Sequence, residues 1–126
     1  MYEILSESSA SNWTKLDKKI ATACVVLEIG SINWDCTSKI RQKTGNYCDQ
    51  GRSINHNDQL DILNELRSEG FISQQIEERG ELPPAQLWRV IDMNTLKKYV
   101  KDVIENPLMK ACLNISLEKV RQVLSL

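Results

Sequence analysis

The sequence predicts a mainly helical α+β fold: a three-helix core with one short strand and a two-stranded hairpin, followed by extra C-terminal helices. Three observations lead there. The 126 residues, 41% hydrophobic and 26% charged with three Trp, suit one domain with a core of its own. Apolar residues recur at helical spacing in several separate stretches. At Gly70 the periodicity switches from helical to alternating, as where a helix turns directly into a strand.

Taken in order, Trp13, Leu16, Ile20, Ala23, Cys24 and Leu27 mark one stripe of a first helix from about Asn12 to Glu28, ended by Gly30. Ile32 and Trp34 alternate around Asn33 as a very short strand, and Asp35 offers an N-cap for a second helix closed by Gly45. Residues 46–57, rich in Asn, Asp, Gly and Ser, predict a loop. A third helix follows from about His56 to Glu69, with Leu60, Ile62, Leu63 and Leu66 apolar and Gly70 as a left-handed cap. Phe71 to Glu78 and Leu87 to Ile91 predict two strands. Between them, Pro83 and Pro84 cannot donate to a ladder and predict an extended turn or tip. Asp92 or Asn94 caps a fourth helix bearing Leu96, Tyr99, Val100 and Val103, Asn106-Pro107 breaks it, and Leu117, Val120 and Leu124 mark a last one. The expected division is residues 12–91 as the core unit and residues 92–126 as appended helices.

Composition narrows the function classes. A formal charge of -1 selects no partner by itself, so the placement of charge matters more than its sum. The first twenty residues lack a basic head followed by an apolar run, and no apolar run reaches membrane-spanning length, which predicts a cytoplasmic protein without a membrane partner. Cys24, Cys36, Cys48 and Cys112 are then expected as reduced thiols. One histidine and no recognisable hydrolase, phosphate-loop or dinucleotide pattern argue against an enzyme and against a cofactor. Cys36, Cys48 and His56 lie within reach of a zinc site along the chain, but their spacing lacks the short ligand pairs such sites use, so no metal is expected.

Four segments carry a resemblance: Ile32 and Trp34, "TSKIRQKTG" (Thr37 to Gly45), "LDILNELRSEGFI" (Leu60 to Ile72) and "ISQQIEERGELPPAQLWRV" (Ile72 to Val90). Their order resembles a winged helix-turn-helix domain of the kind found in bacterial transcriptional regulators, over about two-thirds of the chain. The resemblance implies that the third helix enters the major groove of double-stranded DNA, with the hairpin as the wing. Carried over by position, Ser53, Asn55, His56, Asn57 and Gln59 would meet base edges, and Lys39, Arg41, Lys43, Arg52 and Arg79 the phosphates. The simplest function it implies is a dimeric repressor. Two departures stand out. The segment "NYCDQGRSINHN" is longer than the usual tight turn, and the third helix and wing carry Asp58, Asp61, Glu65, Glu69, Glu77, Glu78 and Glu81 against only Arg67 and Arg79. Phosphates demand cations. The alternative reading is therefore a winged-helix module that binds a basic protein, not DNA. Tyr99, Val100, Val103, Leu108, Cys112, Val120 and Leu124, with Trp13 and Leu16, are expected to form a homodimer seam, the other choice being that they pack back on the core.

Overall fold

A computed structural model of the chain describes residues 14–48 and 53–126. Helix α1 (Lys15–Ile29) opens with a reciprocal capping box: the Thr14 hydroxyl accepts from the Asp17 amide at 3.1 Å, and Asp17 Oδ2 accepts from the Thr14 amide at 2.9 Å. From Ile20 to Leu27 every residue is buried, because other elements pack around the helix on all sides. The one-stripe reading of this helix is too narrow. Its run Ala21-Thr-Ala-Cys-Val-Val-Leu27 is apolar all round, which suits a central helix and not a surface one.

Strand β1 (Asp35–Cys36) lies later than expected. Ile32 is 84% exposed, and the pairing with the hairpin falls at Asp35 opposite Trp88 and Cys36 opposite Leu87. Since Asp35 is spent in the strand, Cys36 and not Asp35 takes the N-cap position of α2 (Thr37–Thr44). Gly45 closes that helix as expected, and with φ −61° it leads into a 3₁₀ turn, Gly45–Tyr47.

Helix α3 (His56–Ser68) begins at Asn55, whose side-chain oxygen accepts from the Asp58 amide at 2.8 Å. It ends at Gly70, φ +86°, where the Gly70 amide donates to Arg67 O and the Phe71 amide to Leu66 O, both at 3.0 Å. That pair of bonds is a Schellman ending, and it delivers the chain directly into β2 (Ile72–Arg79). β3 (Leu82–Val90) returns antiparallel, and the sheet order is β1-β3-β2. The prolines are not a loop. Pro83 and Pro84 sit inside β3, leaving only Gly80 and Glu81 as the turn. They fit because β1 pairs with β3 only at Leu87 and Trp88, so at the prolines one side of β3 is open, and because the β2–β3 register shifts between Glu77 and Arg79.

Asp92 caps α4 (Met93–Glu105), Asn106 ends it and caps the short α5 (Pro107–Cys112), and Ser116 caps α6 (Leu117–Leu124). One cluster of buried side chains runs from α1 through α3, the sheet and α4 to α6. Val100, Val103 and Val120 are buried within it, which corrects the dimer seam drawn through these residues. The C-terminal segment is further tied down where the Asn114 amide donates to Asp17 Oδ1 and the Ser116 amide to Tyr47 O, both at 2.7 Å, and where Cys48 bridges Ile115. Trp13, assigned to the same seam, lies outside the described residues. No helix among the described residues is long and apolar enough to cross a membrane.

Candidate nucleic-acid interface

Helix α3 divides into faces according to what each side chain meets. Gln59, Ile62, Leu63 and Leu66 are buried toward the core. Gln59, expected among the base-reading residues, is 0% exposed, and its Nε2 donates to Thr22 Oγ1 at 2.9 Å while its Oε1 lies 2.8 Å from the Thr44 hydroxyl. Thr22 in turn donates to Lys18 O. This polar chain joins α1, α2 and α3, so Gln59 is a buried strut and not a reader. A buried amide needs hydrogen-bond partners, and here both its nitrogen and its oxygen have one.

The next face of α3 turns toward α1 and takes up most of the acidic charge. Lys18 pairs with Asp58 at 3.0 Å, Lys15 with Glu65 at 3.2 Å, and Lys19 with both Glu65 at 3.1 Å and Glu69 at 2.8 Å. Burial works against the Lys19 charge, but its hydrogen bonds to Glu69 and Glu65 outweigh that and hold its pKa well above the ordinary lysine range. Hydrogen bonds from Lys19 and Lys15 hold Glu65 below the ordinary carboxylate value. Lys19 also sits 5.3 Å from the Tyr99 ring centroid, and Tyr99 packs on Phe71 with centroids 4.9 Å apart. The pairs thus bind α1, α3 and α4 together.

What remains on the outward side is a row spaced by helical turns: Asn57, Asp61, Asn64 and Ser68. Asn57, Asp61 and Ser68 are exposed and Asn64 half-buried. Beside this row, Arg67 Nη1 donates to Gln74 Oε1 on β2 at 2.8 Å, linking helix to hairpin.

The start of α3 meets α2 and the hairpin at a cleft of about 330 Å³, lined among others by Cys36, Ser38, His56, Arg79, Pro84 and Gln86. Here the expected residues His56 and Arg79 come together. Arg79 spends its guanidinium on the hairpin itself, donating to Pro83 O from Nε at 2.9 Å and Nη2 at 2.6 Å. Burial alone would raise the Cys36 thiol, but the Ser38 hydroxyl, 3.4 Å from Sγ, and the amides of Lys39 and Ser38 favour the thiolate and bring its pKa below the ordinary thiol value. Cys48, by contrast, is buried against Ile115, and among the described residues no group of three or more metal-ligating side chains gathers.

The other expected positions scatter. Lys39 is exposed on α2, where no acid lies between Thr37 and Thr44. Arg41 is half-buried on the opposite flank of that helix, and Lys43 opens onto a second cleft with Glu28, Asn46, Tyr47 and Lys119. Asn55 is exposed but committed to its cap, Ser53 and Asn57 are exposed, and Arg52 lies outside the described residues. Sequence reading missed Asp61, Asn64, Ser68 and the Arg67–Gln74 link as parts of this surface. Their spacing of four, three and four residues was the available signal, hidden because the acids on the neighbouring face were counted with them. No protein-family model matches the chain, and no curated protein matches it.

Proposed function

We propose that the chain is a winged helix-turn-helix regulator that binds double-stranded DNA through the outward row of α3, most simply as a repressor that occludes its site. One observation carries this reading. The acids that made α3 unsuitable for DNA, Asp58, Glu65 and Glu69, are paired with Lys15, Lys18 and Lys19 on the flank toward α1, leaving Asn57, Asp61, Asn64 and Ser68 outward. Amide and hydroxyl groups suit base edges. The element order α1-β1-α2-α3-β2-β3 and the sheet order β1-β3-β2 support the winged reading, in which the hairpin flanks the same groove. Lys39, exposed on α2, supplies a phosphate contact. A dimeric form of the reading uses α5, where Leu108 and Met109 stand exposed, in place of the valines now assigned to the core.

The test is the salt dependence of binding to duplex DNA in a gel-shift assay. Each phosphate contact contributes about 0.9 to the slope of log affinity against log salt. Replacing Lys39 with Ala is expected to lower the slope by about one unit, whereas Arg41→Ala, on the opposite flank of α2, and Lys43→Ala, facing another cleft, leave it nearly unchanged. An absence of binding to any duplex at low salt would overturn the reading.

A second reading is favoured by one feature, the hairpin tip. Ile76 and Leu82, 50% and 62% exposed, stand among Glu77, Glu78 and Glu81, a combination that fits a basic protein partner. Retained partner binding after the three glutamates are changed to Gln, together with a lowered salt slope of DNA binding after Lys39→Ala, would exclude it.

A further inference from the structure

We infer that the outward row of α3 reads two A·T pairs flanking a C·G pair, with Asn57 and Asn64 each taking an adenine and Asp61 the cytosine. The inference rests on the DNA-binding reading above and adds the base identities. An Asn side chain offers one donor and one acceptor side by side, which matches the N7 acceptor and N6 amino donor on the major-groove edge of adenine. An ionised Asp offers acceptors only. It matches the N4 amino group of cytosine and is repelled by the acceptor edges of guanine and thymine.

The geometry allows these contacts at one time. At 1.5 Å rise per residue, Asn57 and Asn64 lie roughly 10 Å apart along the helix with Asp61 between them. Base pairs stack about 3.4 Å apart, and following the groove lengthens each step, so the two adenines fall two to three base-pair steps apart. The row is also free to do it. Among the described residues, none of Asn57, Asp61 and Asn64 makes a side-chain hydrogen bond or ion pair, whereas Asp58, Glu65 and Glu69 on the adjacent face are all paired. Asp61 is therefore the acid on this helix whose charge stands unneutralised on the surface facing DNA. That charge weakens attraction to phosphates everywhere, so its use is discrimination: it is repelled by the acceptors of guanine and thymine and by the N7 acceptor beside the adenine amino group, and it accepts from the N4 amino group of cytosine.

The consequence is unusual for a DNA-binding surface, because removing the acid should strengthen binding and blur it. The experiment is selection of duplexes from a random library with the full chain, followed by gel-shift competition with the variants. The wild type is expected to enrich sites with two A·T pairs flanking a C·G pair within about five base pairs. Asp61→Asn should lose the cytosine preference while its affinity for unrelated duplex rises several-fold. Asn64→Ala, and separately Asn57→Ala, should each lose about tenfold in preference for one adenine and keep the other. An enriched motif without this pattern, or one that Asp61→Asn leaves unchanged, overturns the inference while the DNA-binding reading stands. Retardation of all duplexes with no enriched motif does the same. If no duplex is enriched or retarded at any salt concentration, both fail.

Discussion

Gln59 and Asn57 lie two residues apart on α3 and have opposite occupations. Gln59 is enclosed and bonded to Thr22 and Thr44, whereas Asn57 stands in solvent. Truncating Gln59 to Ala removes two buried hydrogen bonds and leaves a small void, which should cost about 2–3 kcal/mol in urea unfolding. Asn57→Ala should stay within about 0.5 kcal/mol and change only DNA binding. The reverse result, a stable Gln59→Ala with impaired binding, would return Gln59 to the interface. Asp17, earlier on α1, shows the same economy. Its two carboxylate oxygens hold the Thr14 amide and hydroxyl on one side and the Asn114 amide on the other, so one side chain caps α1 and anchors the chain entering α6. Asp17→Ala removes these hydrogen bonds and should cost about 2–3 kcal/mol, more than the loss of an isolated helix cap.

At the scale of elements, the abrupt passage from α3 to β2 depends on Gly70. No atom lies within 4 Å of a Cβ built there, so the obstacle to another residue is the backbone angle and not crowding. Gly70→Ala should therefore cost about 1–2 kcal/mol, the penalty of a left-handed alanine, with an unchanged fold by circular dichroism. The contact between α1 and α3 adds a pH dependence. The Glu65 pKa is lowered in the folded chain, so its contribution is present above the unfolded value of about 4.3 and disappears as pH falls through the lower folded value. The Lys19 pKa is raised, so its contribution is present below the unfolded value of about 10.4 and disappears as pH rises through the higher folded one. Measured by urea unfolding, the advantage of the wild type over Glu65→Gln should hold at neutral pH and shrink below about pH 4. A constant difference down to pH 2 would mean that the pair does not hold the helices together.

Across the whole molecule, α4 and α6 complete the core around α1. Val100, Val120 and Val123 belong to the same buried cluster as Ile20, Leu63 and Trp88. A chain ending at Asn106 would lose Ile115, Val120 and Val123 and bare one side of α1, so it should show no cooperative thermal transition. For the same reason Val120→Asp should unfold the chain, since it places an unpaired charge at a fully enclosed position. Leu108→Asp on exposed α5 should leave it folded and, in the dimeric form of the reading, monomeric by light scattering. A folded, truncated chain would show that the C-terminal helices are an appendage after all.

The sequence by itself determined the elements whose causes are local. Asp92 starts a helix because its short side chain caps a free amide, and Gly70 ends one because a left-handed turn suits it. The alternation after Phe71 and the break at Asn106-Pro107 are local in the same sense. Tertiary structure decided whatever depends on a distant partner. The first strand lies at Asp35–Cys36 because Trp88 and Leu87 pair there, and Pro83 and Pro84 join a strand because β1 is too short to reach them. Helical spacing alone cannot distinguish a polar residue facing solvent from one facing Thr22 and Thr44, and so Gln59 was legible as polar but not as buried. The acids of α3 were legible as charge; that three of them are paired depends on lysines some forty or fifty residues earlier, brought alongside only when α1 packs against α3.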